Sequence, residues 1–151
     1  MFRGNHPAKV DEKGRLKVPA AFKQLMDAAN VTQFYITSTN GKSAEIWPLP
    51  EWEKVEARLA GASALNVAVK TFMKLVNYYG QQVETDSQGR LLLPQILRAK
   101  AGLDAEVTVI GMRTYVEVHD REKFEQELPP DGLTDEHRQA IDEVLSGRDD
   151  R

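Results

Sequence analysis

The chain has 151 residues, 41% of them hydrophobic and 28% charged, which suits a globular chain with a real core and not a disordered one. It contains no cysteine, which excludes disulfides, thiolate metal sites and cysteine nucleophiles, and no apolar run long enough to cross a bilayer. A net charge of −3 excludes a uniformly basic nucleic-acid binder, so any surface for a polyanion must be local.

Such a surface is suggested at once. Residues 1–25 carry six bases (Arg3, Lys9, Lys13, Arg15, Lys17 and Lys23) against Asp11 and Glu12. The opening Met1–Pro7 lacks the apolar stretch of a signal peptide, in keeping with a cytoplasmic protein. A short strand is expected to enter the turn Asp11-Glu12-Lys13-Gly14, and Arg15-Leu16-Lys17-Val18 to leave it as a second strand. Aspartate ties such a turn to nearby backbone N–H groups, and glycine takes positive φ without steric cost. Pro19 ends the strand and opens a helix whose Phe22, Leu25, Met26 and Ala29 form a core-facing stripe. A hairpin follows, with Phe34–Thr37 and Ala44–Trp47 flanking Asn40-Gly41. It leads into a helix opened by Pro50, with Trp52, Val55 and Leu59 inward. A long helix over 62–78 then sets Leu65, Val69, Phe72, Met73 and Val76 on one face, against the body of the fold or a neighbouring subunit.

The chain next repeats itself. Asp86-Ser87-Gln88-Gly89-Arg90-Leu91-Leu92-Leu93-Pro94 echoes Asp11–Pro19 as D-x-x-G-R-L-x-[VL]-P, at an offset of 75 residues. Downstream, Asp120–Glu125 aligns with Pro48–Glu53 at an offset of 72. Two copies are too few for a solenoid, so a closed pseudo-symmetric unit is expected. The second copy predicts a helix over Gln95–Ala101 capped by Gly102. A hairpin of Glu106–Ile110 and Tyr115–Val118 is expected around Gly111, then a helix near Glu122–Glu127. After Pro129-Pro130, Thr134 caps a last helix with His137, Ala140, Ile141, Val144 and Leu145 as its apolar stripe, and Arg148–Arg151 should fray. Residues 117–151 carry a net charge of −7. The expected organisation is a first module over 1–60, a connecting helix over 61–80, a second module over 81–128, and an acidic helix and tail over 129–151.

Four segments together carry a resemblance. Met1-Phe2-Arg3-Gly4, Asp11–Pro19, Pro48-Leu49-Pro50-Glu51-Trp52-Glu53 and Asp86–Pro94 resemble MraZ proteins over about residues 1–128, and the order and spacing of the motifs make the match specific. The resemblance implies an α+β, β-rich fold. Each copy would be an AbrB-like module, and the two would interlock as a swapped-hairpin, double-psi-like β-barrel with peripheral helices. It further implies homo-oligomeric rings of a cytoplasmic, nucleoid-associated transcription regulator. Its partner would be double-stranded DNA carrying direct repeats, in the promoter of the division and cell wall gene cluster that includes its own gene. The family's D-x-x-x-R pattern, implicated in DNA binding, falls on Asp11/Arg15 and Asp86/Arg90. Nothing functional is carried beyond Pro129.

The candidate DNA-binding residues are therefore Arg15, Lys13, Arg90, Lys17 and Arg3. An arginine fork suits a phosphate, or O6 and N7 of a guanine, and lysines add phosphate contacts that set register. The plainer reading is that Asp and Arg only staple their own turns as ion pairs. Asp11, Gly14, Asp86 and Gly89 are read as turn-supporting. The second turn carries Ser87 and Gln88 where the first has Glu12 and Lys13, so the first copy is the better DNA candidate. Arg3 reads equally as a phosphate contact or as packing at a subunit edge. Trp52 and Phe124 occupy equivalent helix positions and are read as packing, and Tyr78-Tyr79 as an interface feature. The three histidines, His6, His119 and His137, show no metal spacing, and no nucleophile elbow or phosphate loop occurs, so neither an enzyme, a metal nor a cofactor is expected. The alternative function is a protein-interaction module that uses the acidic C-terminal helix, with DNA incidental. In a variant of it, that tail covers the basic face.

Overall fold

Period-two burial fixes the strands. The computed structural model describes residues 1–147, so the frayed end expected at Arg148–Arg151 lies outside the described residues. In β3 (Gln33–Thr37) Phe34 and Ile36 point inward, in β4 (Ala44–Pro48) Ala44 and Ile46, in β7 (Ala105–Gly111) Val107 and Val109, and in β8 (Val116–Asp120) Val116 and Val118. β1 (Asn5–Val10), β2 (Arg15–Lys17), β5 (Gln81–Glu84) and β6 (Arg90–Leu92) complete an eight-stranded sheet in the order β5-β3-β4-β8-β7-β1-β2-β6. All its pairings are antiparallel, and the terminal strands β5 and β6 meet through the Asp86–Gly89 turn, where Asp86 N–H donates to the Arg90 carbonyl at 3.0 Å. The result is a nearly closed α+β barrel of the AbrB-like class.

The copies interlock strand by strand. β1 of the first copy pairs with β7 of the second from Asn5↔Ile110 to Val10↔Ala105, and β5 of the second pairs with β3 of the first from Gln33↔Glu84 to Ile36↔Gln81. The two remaining junctions, β2–β6 and β4–β8, join equivalent strands and so lie on the pseudo-two-fold axis. Leu16 and Leu91 are cross-strand partners at most 1% exposed, so neither copy owns the core it buries. At about 1.5–3 kcal/mol for each fully buried large apolar side chain, Leu16, Phe34, Ile36, Leu91 and Leu97 tie the copies together through shared burial.

Four helices belong to the barrel unit, α1 (Ala20–Ala28), α2 (Leu49–Ala60), α3 (Val67–Tyr78) and α4 (Gln95–Ala101), and two more follow in chain order, α5 (Arg121–Glu127) and α6 (Asp135–Leu145). Pro19 and Pro94 stand at the N-caps of α1 and α4, and Gly102 ends α4 at φ +68. Trp52 is buried on α2, with Val55 and Leu59 half-buried. Residues 1–121 form one compact unit, while α6 belongs to a second, which begins at Glu122. Thr134 caps α6 as its sequence suggests, accepting from the His137 N–H at 3.1 Å.

Three local expectations need correction. The connecting helix starts at Val67 and not near 62, because the Asn66 side chain caps it by accepting from Val69 N–H at 3.1 Å. Leu65 therefore stands outside the helix and is exposed. On α1 only Phe22 and Met26 are buried; Leu25 and Ala29 border a surface cleft with Met1, Val31 and Pro48. Gly111 is the last residue of β7 and not the turn, which falls at Met112–Tyr115. A Cβ on Gly111 would stand 2.4 Å from the Arg3 backbone nitrogen, so glycine is needed where the N-terminal segment crosses the strand.

Candidate nucleic-acid interface

On the β2–β6 junction, Arg15 lies opposite Leu92 and Lys17 opposite Arg90. Alternation turns Leu16 and Leu91 into the core, so Arg15, Lys17, Arg90 and the exposed Leu92 share the outer face. The three bases adjoin an open cleft of about 460 Å³ whose walls include Lys9, Asp11, Arg15, Lys17, Gln88 and Arg90.

Each arginine is aimed by the aspartate of its own turn. Asp11 Oδ1 accepts the backbone N–H of Lys13 at 3.0 Å and of Arg15 at 2.9 Å, while Oδ2 accepts Arg15 Nε at 2.7 Å. Asp86 repeats the arrangement: Oδ1 accepts from Gln88 and Arg90 N–H at 2.9 Å each, and Oδ2 from Arg90 Nε at 2.8 Å. The Arg15 backbone N–H above all, then its guanidinium, holds the Asp11 carboxyl below the usual carboxylate range. The Arg90 N–H above all does the same for Asp86. Gly14 at φ +85 and Gly89 at φ +72 close the turns, each donating its N–H to the aspartate carbonyl.

The ion pairs occupy Nε and leave the outer edge of the Arg15 guanidinium open. Neither Nη group of Arg15 has an acceptor among the described residues. For Arg90 the additional neighbour is Asp11, 3.7 Å from Nη1, so the first-copy aspartate lies between arginines of both copies. Exposed pairs of this kind contribute little stability, but they fix the direction in which a guanidinium points. Stapling and presenting are therefore compatible roles for the same Asp–Arg pair.

The five candidate bases are not all together. Arg15, Lys17 and Arg90 share one face, and Lys13 is exposed on the adjoining turn. Arg3 is exposed at the other end of β1, six residues of strand at ~3.3 Å each, or roughly 20 Å, away. It is anchored near Gly111 and the Phe2↔Arg113 bridge. Sequence reasoning passed over Lys9, Leu92 and the α4 base Arg98, which packs on Gly14. The offset of 75 that aligns Arg15 with Arg90 also aligns Lys23 with Arg98, and it is the signal that could have found Arg98.

The opposite junction is acidic. Glu45 lies directly across from Glu117 on β4–β8. Trp47 Nε1 donates to Glu45 at 2.9 Å, and the Trp47 ring stacks on Tyr115 at 4.1 Å and 7°. Trp52 of α2 covers this aromatic seam, edge-on to Trp47 and stacked on Tyr35. Burial first, and the Glu117 charge, push the Glu45 carboxyl up against the opposing Trp47 hydrogen bond. Burial and the same two carboxylates push the Tyr115 phenol up to about 12. A half-buried acidic pair repels a polyanion, so the barrel is polarised, with its cationic face at β2–β6. Among the described residues no group of three or more His, Cys, Asp or Glu is placed to hold a metal ion. No helix among them is long and apolar enough to cross a membrane.

Comparison with known proteins agrees with the internal repeat. The sequence profile of the MraZ protein family matches in two stretches, residues 1–74 and 80–142, one for each copy. The chain is similar to a "Transcriptional regulator MraZ" from Acidobacterium capsulatum, 55% identical over 143 residues that cover 95% of this chain and 98% of that one. A protein of the same name from Koribacter versatilis is 43% identical, covering 95% and 99%. One from Proteus mirabilis is 35% identical, covering 98% and 96%.

Proposed function

This chain belongs to the MraZ family, and on that premise we propose that it is a transcriptional regulator and not an enzyme, reading double-stranded DNA with the β2–β6 face. The observation that carries the reading is the pair of guanidinium groups held through Nε by Asp11 and Asp86 beside Lys17, with the Nη groups of Arg15 free and Arg90 Nη1 3.7 Å from Asp11. A two-stranded ribbon fits the major groove, where an Nη pair matches O6 and N7 of guanine. Lys13 and Lys17 meet phosphates and set register. Arg3, on its remote end of β1, meets either DNA or a neighbouring subunit.

One protomer offers a modest patch on a chain of net charge −3. Specific binding is therefore a property of a homo-oligomeric ring that places several patches on direct repeats, where linkage adds orders of magnitude to a weak single contact. The operator is the promoter of the division and cell wall cluster that includes the protein's own gene, and the protein acts in the cytoplasm at the nucleoid. Its modules are residues 1–60 and 81–128, linked through residues 61–80, with 129–151 as an acidic appendage. Arg15→Ala tests the site. It should abolish specific binding to a promoter duplex while leaving the oligomer intact, and normal binding by that variant would remove Arg15 from the site.

A second reading has one specific observation in its favour. Ile141, Val144 and Leu145 on α6 are 47%, 51% and 78% exposed beside five acidic residues from Asp131 to Glu143. An apolar stripe of that kind suits a protein partner. Deleting residues 130–151 separates the cases. DNA binding that persists favours the regulator; loss of a salt-resistant protein complex favours the interaction module; tighter DNA binding favours a tail that covers the basic face.

A further inference from the structure

Arg98 is a half-buried arginine of α4 with no acidic partner among the described residues. Its guanidinium abuts the first-copy turn with Nη1 foremost: a Cβ built on Gly14 would stand 1.8 Å from Arg98 Nη1 and 2.7 Å from Cζ. The packing is possible only because residue 14 lacks a side chain, so Gly14 serves both the positive φ and the close approach of a base from the other copy. None of the five N–H donors of Arg98 meets an acceptor among the described residues, and no side-chain nitrogen lacking a partner is sealed from solvent. The charge is thus held in place, exposed at its tip and unneutralised, next to the turn from which Lys13 and Arg15 project.

The equivalent position in the first copy behaves differently. Lys23 of α1 crosses the second turn, with its Cε 2.5 Å from where a Gly89 Cβ would be. Its ammonium, however, is bonded to Asp27 at 2.8 Å. The turn Asp11–Gly14 therefore receives a free cation from its partner copy, and the turn Asp86–Gly89 a neutralised one.

We infer that Arg98 is a DNA-binding residue, clamping a backbone phosphodiester against the first turn, so that each first-turn site is completed across the copies and the second-turn site is not. This rests on the proposed DNA reading. A planar fork with free donors suits a phosphate oxygen pair, and a contact of this type sets position without reading bases.

The test titrates the full-length protein with a fluorescent promoter duplex and a scrambled duplex over a range of salt, for wild type, Arg98→Gln, Arg98→Lys and Lys23→Gln. Arg98→Gln should weaken binding to both duplexes by about tenfold and make the slope of log affinity against log salt shallower by ~0.9 for each engaged protomer. Arg98→Lys should recover the slope, and Lys23→Gln should match wild type. Unchanged affinity and slope in Arg98→Gln would overturn the inference while leaving the DNA reading intact, whereas failure of wild type to bind either duplex would overturn both. Weakened binding at an unchanged slope, with a lower melting temperature and no rescue by lysine, would make Arg98 a structural prop. Competition by millimolar inorganic phosphate at matched ionic strength would reassign the site to a free anion.

Discussion

Replacing Gly14 by alanine separates the two demands made on that residue. At φ +85 an alanine pays the left-handed penalty of about 1–2 kcal/mol, and its Cβ, 1.8 Å from Arg98 Nη1, expels the guanidinium from the turn. The displaced side chain gives up no hydrogen bond or ion pair in leaving, so the stability loss should be close to the backbone penalty alone. For a chain of this size that is a fall of ~2–8 °C in melting temperature, read by calorimetry or circular dichroism. Gly89→Ala, at φ +72 and meeting the flexible end of Lys23, should cost a similar amount. Gly111→Ala meets main-chain atoms of Phe2 and Arg3 at 2.4–2.6 Å and should cost more than either, because backbone has to move. The two turn variants should diverge in DNA affinity, with Gly14→Ala losing more. Melting of Gly14→Ala within a degree of wild type, together with unaltered DNA binding, would refute the account of the turn.

Two further outcomes follow from the same geometry. Asp11→Asn removes the carboxylate that holds Arg15 Nε and lies near Arg90, so affinity for scrambled DNA should rise while the promoter-to-scrambled ratio falls in anisotropy titrations; an unchanged ratio would mean that Asp11 does not aim Arg15. Stability should peak in mildly acidic solution. The folded Glu45 carboxyl binds its proton more readily than the unfolded one, whose value is 4.5, so stability rises as pH falls through its raised value and is lost above it. Asp11 and Asp86 have the opposite sign: their contribution is present above the unfolded value of 3.8 and is lost as pH falls through their lowered ones. Melting temperature against pH should therefore climb below neutrality and then drop, and Glu45→Gln should flatten the climb; a climb that survives in that variant would assign it elsewhere.

What could be read from the sequence was local or repeated. The D-x-x-G-R-L pattern announced both turns, the strands that leave them and the proline-opened helices, because aspartate, glycine and proline each impose a particular backbone geometry. The repeat announced pseudo-symmetry, but not that β1 pairs with β7 and β5 with β3. Strand pairing at separations of roughly fifty to a hundred residues leaves no mark on either strand alone, and only the interlocking as such came through the family resemblance. The same limit hid Arg98, whose role depends on contact with Gly14 of the other copy. The pattern also overran at α3, where apolar spacing extended to Leu65 while the asparagine cap at Asn66 set the true start. At Gly111, glycine suggested a turn when its reason was a crossing segment.

The central claim is that the β2–β6 face binds a specific DNA sequence. Fluorescence-anisotropy titration of the full-length protein with a duplex from its own upstream promoter, beside a scrambled duplex, at two salt concentrations, tests it most directly. The account expects tight binding to the promoter duplex alone, weakening steeply with salt. Equal or negligible binding to both duplexes would contradict it and turn attention to the exposed apolar stripe of α6.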